Sequence, residues 1–164
     1  MADVVTQEKR SVMMAGIKGK NTRLEIAIRK ELHGRGYRYR LHSKDLPGKP
    51  DLVFPKYKTV VFVHGCFWHK HGCHLFKWPS TRPTFWEEKI NGNARRDETN
   101  KLQLLAKGWK IVIIWECAVK GKNKLALSEV ADLTITAFHN GDTNFTEITG
   151  YQNLCPDFRN TLPG

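Results

Sequence analysis

Residues 46–63, LPGKPDLVFPKYKTVVFV, carry the pattern that decides the fold. Leu46-Pro-Gly-Lys-Pro50 can only be a stiff turn, since two prolines fix φ and the glycine between them admits a tight reversal. Asp51-Leu-Val-Phe54 then predicts a short strand, Lys56 to Lys58 a turn, and Thr59-Val-Val-Phe-Val63 a strand. An apolar run of that length, rich in β-branched residues, is what a strand buried on both faces looks like. A carboxylate therefore stands at the start of one strand, beside a second strand that ends at His64.

Outward from this hairpin the periodicity changes. Thr22-Arg-Leu-Glu25 has the S/T-x-x-E form of a capping box and opens a helix with Leu24, Ile28 and Leu32 on one face, ending near Gly34. Tyr37 to Leu41 alternates as a strand. Thr84-Phe-Trp-Glu87 is a second capping box, and helical spacing runs through Leu102 and Leu105 to Gly108; Gly92 is expected to break this helix, with Asn93 capping the second piece. Trp109 to Trp115 (WKIVIIW) predicts another buried strand, and Leu125 to Phe138 a last helix. The order is α, three strands, α, strand, α. A helical crossover before Trp109 implies at least one parallel strand pair. The expected organisation is a basic segment 1–20 containing a short exposed helix over 7–20, a core domain 21–139, and a tail 140–164 with no clear period.

Composition narrows the partners. The chain of 164 residues carries a formal net charge of +11. Residues 1–121 hold 24 Lys and Arg against 11 Asp and Glu, and residues 122–164 hold 3 against 5. A basic body of this kind suits a polyanion, nucleic acid before membrane, because no basic amphipathic helix with a broad apolar face is present. No segment approaches the roughly 20 apolar residues of a membrane span. The expected setting is cytoplasmic, where four cysteines (Cys66, Cys73, Cys117 and Cys155) point to metal ligands or free thiols rather than disulfides.

Between the strands lies VHGCFWHKHGCH, residues 63–74, with four histidines and two cysteines in twelve positions. Cys66, His71 and Cys73, joined by Cys117 after the WKIVIIW strand, make a Cys₃His set of the kind that structural zinc favours. His64, His69 and His74 compete for the nitrogen position. Zinc closed by four protein ligands has no open position for chemistry, so catalysis must lie elsewhere. Asp51 is the candidate: a carboxylate beside a strand end can hold Mg²⁺ together with a backbone carbonyl, waters and phosphate oxygens. As a lone PD dipeptide it is also a plain turn-capping residue.

Taken together, Leu46-Pro-Gly-Lys-Pro-Asp51, Val63-His-Gly-Cys-Phe-Trp-His69, His71, Cys73, Phe85-Trp86-Glu-Glu-Lys89-Ile and Trp115-Glu-Cys117 resemble the very short patch repair (Vsr) endonucleases. The resemblance runs from about Lys9 to Gly121 and stops before residues 122–164. It implies an α/β, PD-(D/E)xK nuclease-like αβββαβ core with a structural zinc site, lacking the second half of that motif. It further implies strand-specific nicking of duplex DNA 5′ of the thymine in T:G mismatches left by deamination of 5-methylcytosine. By resemblance Asp51 is the Mg²⁺ ligand, with the Val63 main-chain carbonyl beside it. His69 assists proton transfer, His64 supports it near the phosphate, and Glu25 approaches from the first long helix. Cys66, His71, Cys73 and Cys117 are the zinc ligands, and Cys155 is left as a free thiol.

The resemblance also makes Phe67, Trp68 and Trp86 an intercalating wedge beside the mismatch, and Lys89 and Asn93 contacts to the T:G pair. Aromatic faces can unstack a weakened step at a cost of a few kcal/mol. Lys18, Lys20 and Arg23 are expected to add salt-sensitive phosphate contacts. The family is linked to MutL-type repair proteins, and the expected enzyme is a nucleoid-associated monomer. Two rival readings are a Vsr-like restriction or nicking endonuclease acting on paired DNA, and a non-catalytic zinc-dependent DNA-binding protein.

Overall fold

The computed structural model describes residues 6–9 and 22–150. The order is α1 (Arg23–Gly34), β1 (Arg40–Leu41), β2 (Leu52–Phe54), β3 (Thr59–His64), α2 (Pro83–Ala106), β4 (Lys110–Trp115), α3 (Leu127–His139) and β5 (Phe145–Ile148). The five strands form one sheet in sequence order. β1, β2 and β3 pair antiparallel, whereas β3, β4 and β5 run parallel.

The parallel half follows from the long crossovers, since α2 separates β3 from β4 and α3 separates β4 from β5. Both faces are covered, which explains the unbroken apolar runs. Ile111, Ile113 and Trp115 join Val53, Val60 and Leu104 on the α2 side, while Val112 and Ile114 join Ile28, Leu32, Phe54, Val61, Val130 and Phe138 on the side of α1 and α3. The two-residue period of the strand thus serves two cores at once. Among the described residues no helix is long and apolar enough to cross a membrane.

Four sequence expectations are corrected. α2 runs unbroken through Gly92 for 24 residues. Glycine costs a helix only about 1 kcal/mol, and Ile90 and Leu104, fully buried about four turns apart, pin both halves to the core. Asn93 is therefore no cap; its Nδ2 donates to the Trp68 carbonyl at 3.0 Å. The Thr84 capping box does not form, because the helix starts two residues earlier than that box requires, at Pro83, whose missing N–H suits a first turn, behind Arg82 at φ 50°. The first strand shrinks to Arg40–Leu41. Last, the segment after His139 holds β5, which pairs with β4 from Phe145 to Ile148. Its FTEI sequence alternates too briefly to stand out, and only the edge of β4 gives it a partner. Most of the helix expected over 7–20, together with Lys18, Lys20 and Cys155, lies outside the described residues.

Candidate active site and metal centre

The turn before β2 sets the first half of the site. Gly48 holds φ 76°, and a Cβ there would come within 3.2 Å of the Asn100 side chain and the Phe62 ring, so only glycine fits the reversal without displacing them. Asp51 follows, and its Oδ2 accepts a hydrogen bond from the Val63 N–H at 2.7 Å, clamping the carboxylate to the end of β3. Burial pushes this carboxyl up to about 6, with Glu25 adding to the rise, although the Val63 N–H pulls the other way. A carboxylate so poorly compensated is a place for a cation.

Glu25 is 2% exposed. The expected capping box is only half made: Thr22 Oγ1 accepts from the Glu25 N–H at 3.2 Å, but the Glu25 carboxylate turns inward, to His42 Nε2 at 3.1 Å and Arg29 at 3.5 Å. His42 Nδ1 in turn lies 4.0 Å from Asp51 Oδ1. Donor atoms of Glu25, His42 and Asp51 all fall within 4.8 Å of one another.

His64 ends β3 and is buried; His69 returns over it so that the two imidazoles stack at 3.7 Å with 3° between planes. Burial, with His69 second, holds His64 well below the usual histidine range, so it is neutral at pH 7. His69 Nδ1 pairs with Asp97 Oδ2 of α2 at 2.6 Å. That contact fixes the ring and leaves Nε2 as the free nitrogen. A cavity of about 300 Å³ adjoins the pair, lined among others by Phe62, His64, His69, Asp97, Trp115 and Glu147.

The second centre is built by the parallel register. His64 pairs with Trp115, so Cys66 and Cys117, each two residues further on, leave the sheet side by side. Both are fully buried. The loop from β3 brings back His71, whose Nδ1 lies 3.5 Å from both sulfurs and whose ring stacks on Trp115 at 4.1 Å. Cys73 completes a set with all donor atoms within 4.8 Å. Of the histidines that compete for the nitrogen position, His71 is at the sulfurs, His64 and His69 are in the stack, and His74 is exposed. The sulfurs couple to each other. Cys66 is pushed up by its hydrogen bond to Cys117 and by burial, while Cys117 is drawn down by accepting that bond, with His71 and the Gly150 N–H helping.

Next to His69 stands an aromatic cluster. Phe67 meets Trp68 edge-on at 5.1 Å and Trp86 at 5.4 Å, and Trp68 lies 6.0 Å from Trp86. All three are half-buried rather than sunk in the core. Lys89 is exposed one turn before Asn93 on the continuous α2, with its Nζ 5.8 Å from the Phe85 ring. Arg23 is exposed at the start of α1.

The arrangement has counterparts. The family model described as DNA mismatch endonuclease Vsr matches residues 2–75. The DNA mismatch endonuclease Vsr of Escherichia coli (strain K12) is 45% identical over 76% of this chain and 80% of the relative. The chain belongs to the Vsr family. Two further relatives in it are the Type II nicking enzyme V.XorIIP of Xanthomonas oryzae pv. oryzae, 48% identical over 71% of this chain and 86% of its own, and the Type II nicking enzyme V.NmeAIP of Neisseria meningitidis, 46% identical over 74% and 87%.

Two residues of this Vsr-family site escaped the sequence. Asp97 sits 28 residues from His69 in a run of mixed charge, ARRDE, where nothing marks one carboxylate as special. His42 was legible in principle: β1 and β2 pair Leu41 with Leu52, which sets His42 opposite Asp51, and the His42 N–H indeed donates to the Asp51 carbonyl at 3.1 Å.

Proposed function

We propose that this protein is a strand-nicking DNA endonuclease of mismatch repair, hydrolysing the phosphodiester 5′ of the thymine in a T:G mismatch, with Mg²⁺ at Asp51 and structural zinc on Cys66, His71, Cys73 and Cys117. The observation that carries it is the junction at Trp68-His69: an aromatic cluster able to enter a base stack leads directly into the imidazole that Asp97 holds beside His64.

The donor sets suit both ions. Three sulfurs and one imidazole converging in a half-buried cluster match tetrahedral zinc, whereas Asp51, with the Val63 carbonyl at the same strand end, offers the hard oxygens Mg²⁺ takes. A bound Mg²⁺ would supply charge stabilisation for the phosphoryl oxygens. The chain's own groups do the rest. His69 Nε2 is free to take a proton from the attacking water, because Nδ1 is engaged by Asp97. His64, neutral and buried, backs the ring and keeps water from its far face. Phe67, Trp68 and Trp86 would wedge beside the mismatch, where the weakened step opens most easily. Lys89 and Asn93, one turn apart, would face the T:G pair. Asn93 must then release the Trp68 carbonyl, so wedge entry and base reading are coupled. Arg23, Lys18 and Lys20 would hold phosphates.

The enzyme would act as a monomer in the cytoplasm on nucleoid DNA, with MutL-type repair proteins as partners. A second reading is nicking of fully paired DNA; the names of the Xanthomonas and Neisseria relatives state nicking and no mismatch. Single-turnover nicking of T:G and paired duplexes by wild type and Trp68→Ala separates the two. Losing a base stack costs roughly 1 to 3 kcal/mol, so T:G cleavage should fall strongly and paired-duplex cleavage should stay negligible throughout. Equal wild-type rates on both substrates would replace mismatch repair by general nicking.

A further inference from the structure

Glu25, His42 and Asp51 come from three elements, α1, the end of β1 and the start of β2, and meet with side chains only 3%, 17% and 16% exposed. His42 is held by its backbone at both levels of the hairpin. Its N–H is bonded to the Asp51 carbonyl and its φ is 46°, in the left-handed region. The imidazole is thereby set between two carboxylates, with one nitrogen 3.1 Å from Glu25 Oε1 and the other 4.0 Å from Asp51 Oδ1.

An imidazole offers a single ion only one of its two nitrogens, and one donor atom from each of Glu25, His42 and Asp51 lies within 4.8 Å of the others, close enough to share a small cation. Donors about 2.1 Å from an octahedral ion lie about 3.0 Å apart when adjacent and about 4.2 Å apart when opposite. The donor chemistry then discriminates. Mg²⁺ takes oxygen and gains little from imidazole, whereas Mn²⁺ and Co²⁺ accept two carboxylates and one imidazole readily.

We propose that His42 is a nitrogen ligand of the cation held by Asp51 and Glu25, and that it turns the preference of this site from Mg²⁺ towards Mn²⁺ and Co²⁺. The inference rests on Asp51 being the cation ligand of the proposed nuclease. His42 thus sets metal choice in the catalytic centre: Mg²⁺ supports the reaction, and Mn²⁺ occupies the site at lower concentration. The rate would respond to whichever ion is at hand.

The test uses full-length, zinc-loaded protein without DNA. Mn²⁺ binding is followed by loss of the free-ion EPR signal and competed with Mg²⁺, and pulsed EPR of the bound Mn²⁺ reads directly coordinated ¹⁴N. The wild type should show imidazole ¹⁴N coupling. In His42→Gln and His42→Asn that coupling should vanish and the Mn²⁺-over-Mg²⁺ affinity ratio should fall by at least the roughly tenfold that losing even a supporting partner costs a metal site. His69→Gln should keep the coupling, which excludes the neighbouring histidine as its source. A wild-type spectrum without nitrogen coupling overturns the proposal on its own. So does a zinc-replete His42 variant that retains both the coupling and the affinity ratio. Asp51→Ala separates the two levels: Mn²⁺ bound there as in wild type removes the catalytic-cation reading itself, whereas Mn²⁺ lost there but indifferent to His42 removes only the role of His42.

Discussion

Replacing Asp51 by Asn should inactivate the enzyme and, at neutral pH and without added cation, make it more stable. The Asp51 carboxyl has an ordinary value of 3.8 and is pushed to about 6 in the fold, chiefly by burial and then by Glu25. A folded value above the unfolded one means that the folded state binds the proton more tightly. The stabilisation by that proton is fully present below about 4 and is lost as pH rises through 6, after which the folded chain carries a buried, poorly compensated charge. A rise of about two units corresponds to about 3 kcal/mol at pH 8, falling to about half that at pH 5, where the folded carboxyl is still largely protonated. Asn removes the charge and keeps an oxygen that can accept from the Val63 N–H, so that this clamp survives. Thermal melts of zinc-loaded wild type and Asp51→Asn, in buffers without Mg²⁺ at pH 8 and pH 5, should show the variant melting several degrees higher at pH 8 and less so at pH 5. Added Mg²⁺ should narrow the gap from the wild-type side only. An Asn variant no more stable at pH 8, or equally favoured at both pH values, would refute the view that this carboxylate is held in an unsatisfied state for a cation.

Asp97→Asn should lower single-turnover cleavage by roughly 10²-fold to 10⁴-fold, since an amide can donate to His69 Nδ1 and leave the proton on Nε2. Asp97→Glu should recover part of the loss, and a wild-type rate in the Asn variant would make the 2.6 Å pair structural. Cys117→Ser should strip the metal and lower the melting temperature, checked by zinc analysis alongside calorimetry, because structural zinc contributes directly to folding. Full zinc content in that variant would exclude Cys117 as a ligand.

The sequence was most informative where a local pattern had to satisfy a long-range need. β3 and β4 announce themselves as apolar runs because α2 on one face and α1 with α3 on the other leave no room for polar residues. That Cys66, His71, Cys73 and Cys117 converge was readable because thiols in that number have few other uses; residue spacing alone left His64, His69 and His74 open beside His71, which the resemblance singled out. Less visible were features whose meaning is purely relational. β5 depends on an edge offered by β4, Asp97 on the return of His69, and the unbroken α2 on two buried anchors that outweigh one glycine. Glu25 was expected both as the capping-box partner of Thr22 and as a site residue; its N–H makes half of the box, while its carboxylate turns to His42 and Arg29 beside Asp51.

The pairing of His64 with Trp115 has a consequence for how the protein is made. Both candidate centres hang from the carboxyl ends of neighbouring strands, so a slip of one residue would move Cys66 about 3.3 Å along Cys117 and turn alternate side chains to the wrong face. If zinc is held as proposed, the ion would be a check against such slips: Cys66, His71, Cys73 and Cys117 converge in a fold where β3 and β4 are aligned as His64 to Trp115. A nascent chain paired out of register would then set Cys66 and Cys117 apart and offer the proposed zinc an incomplete set of ligands.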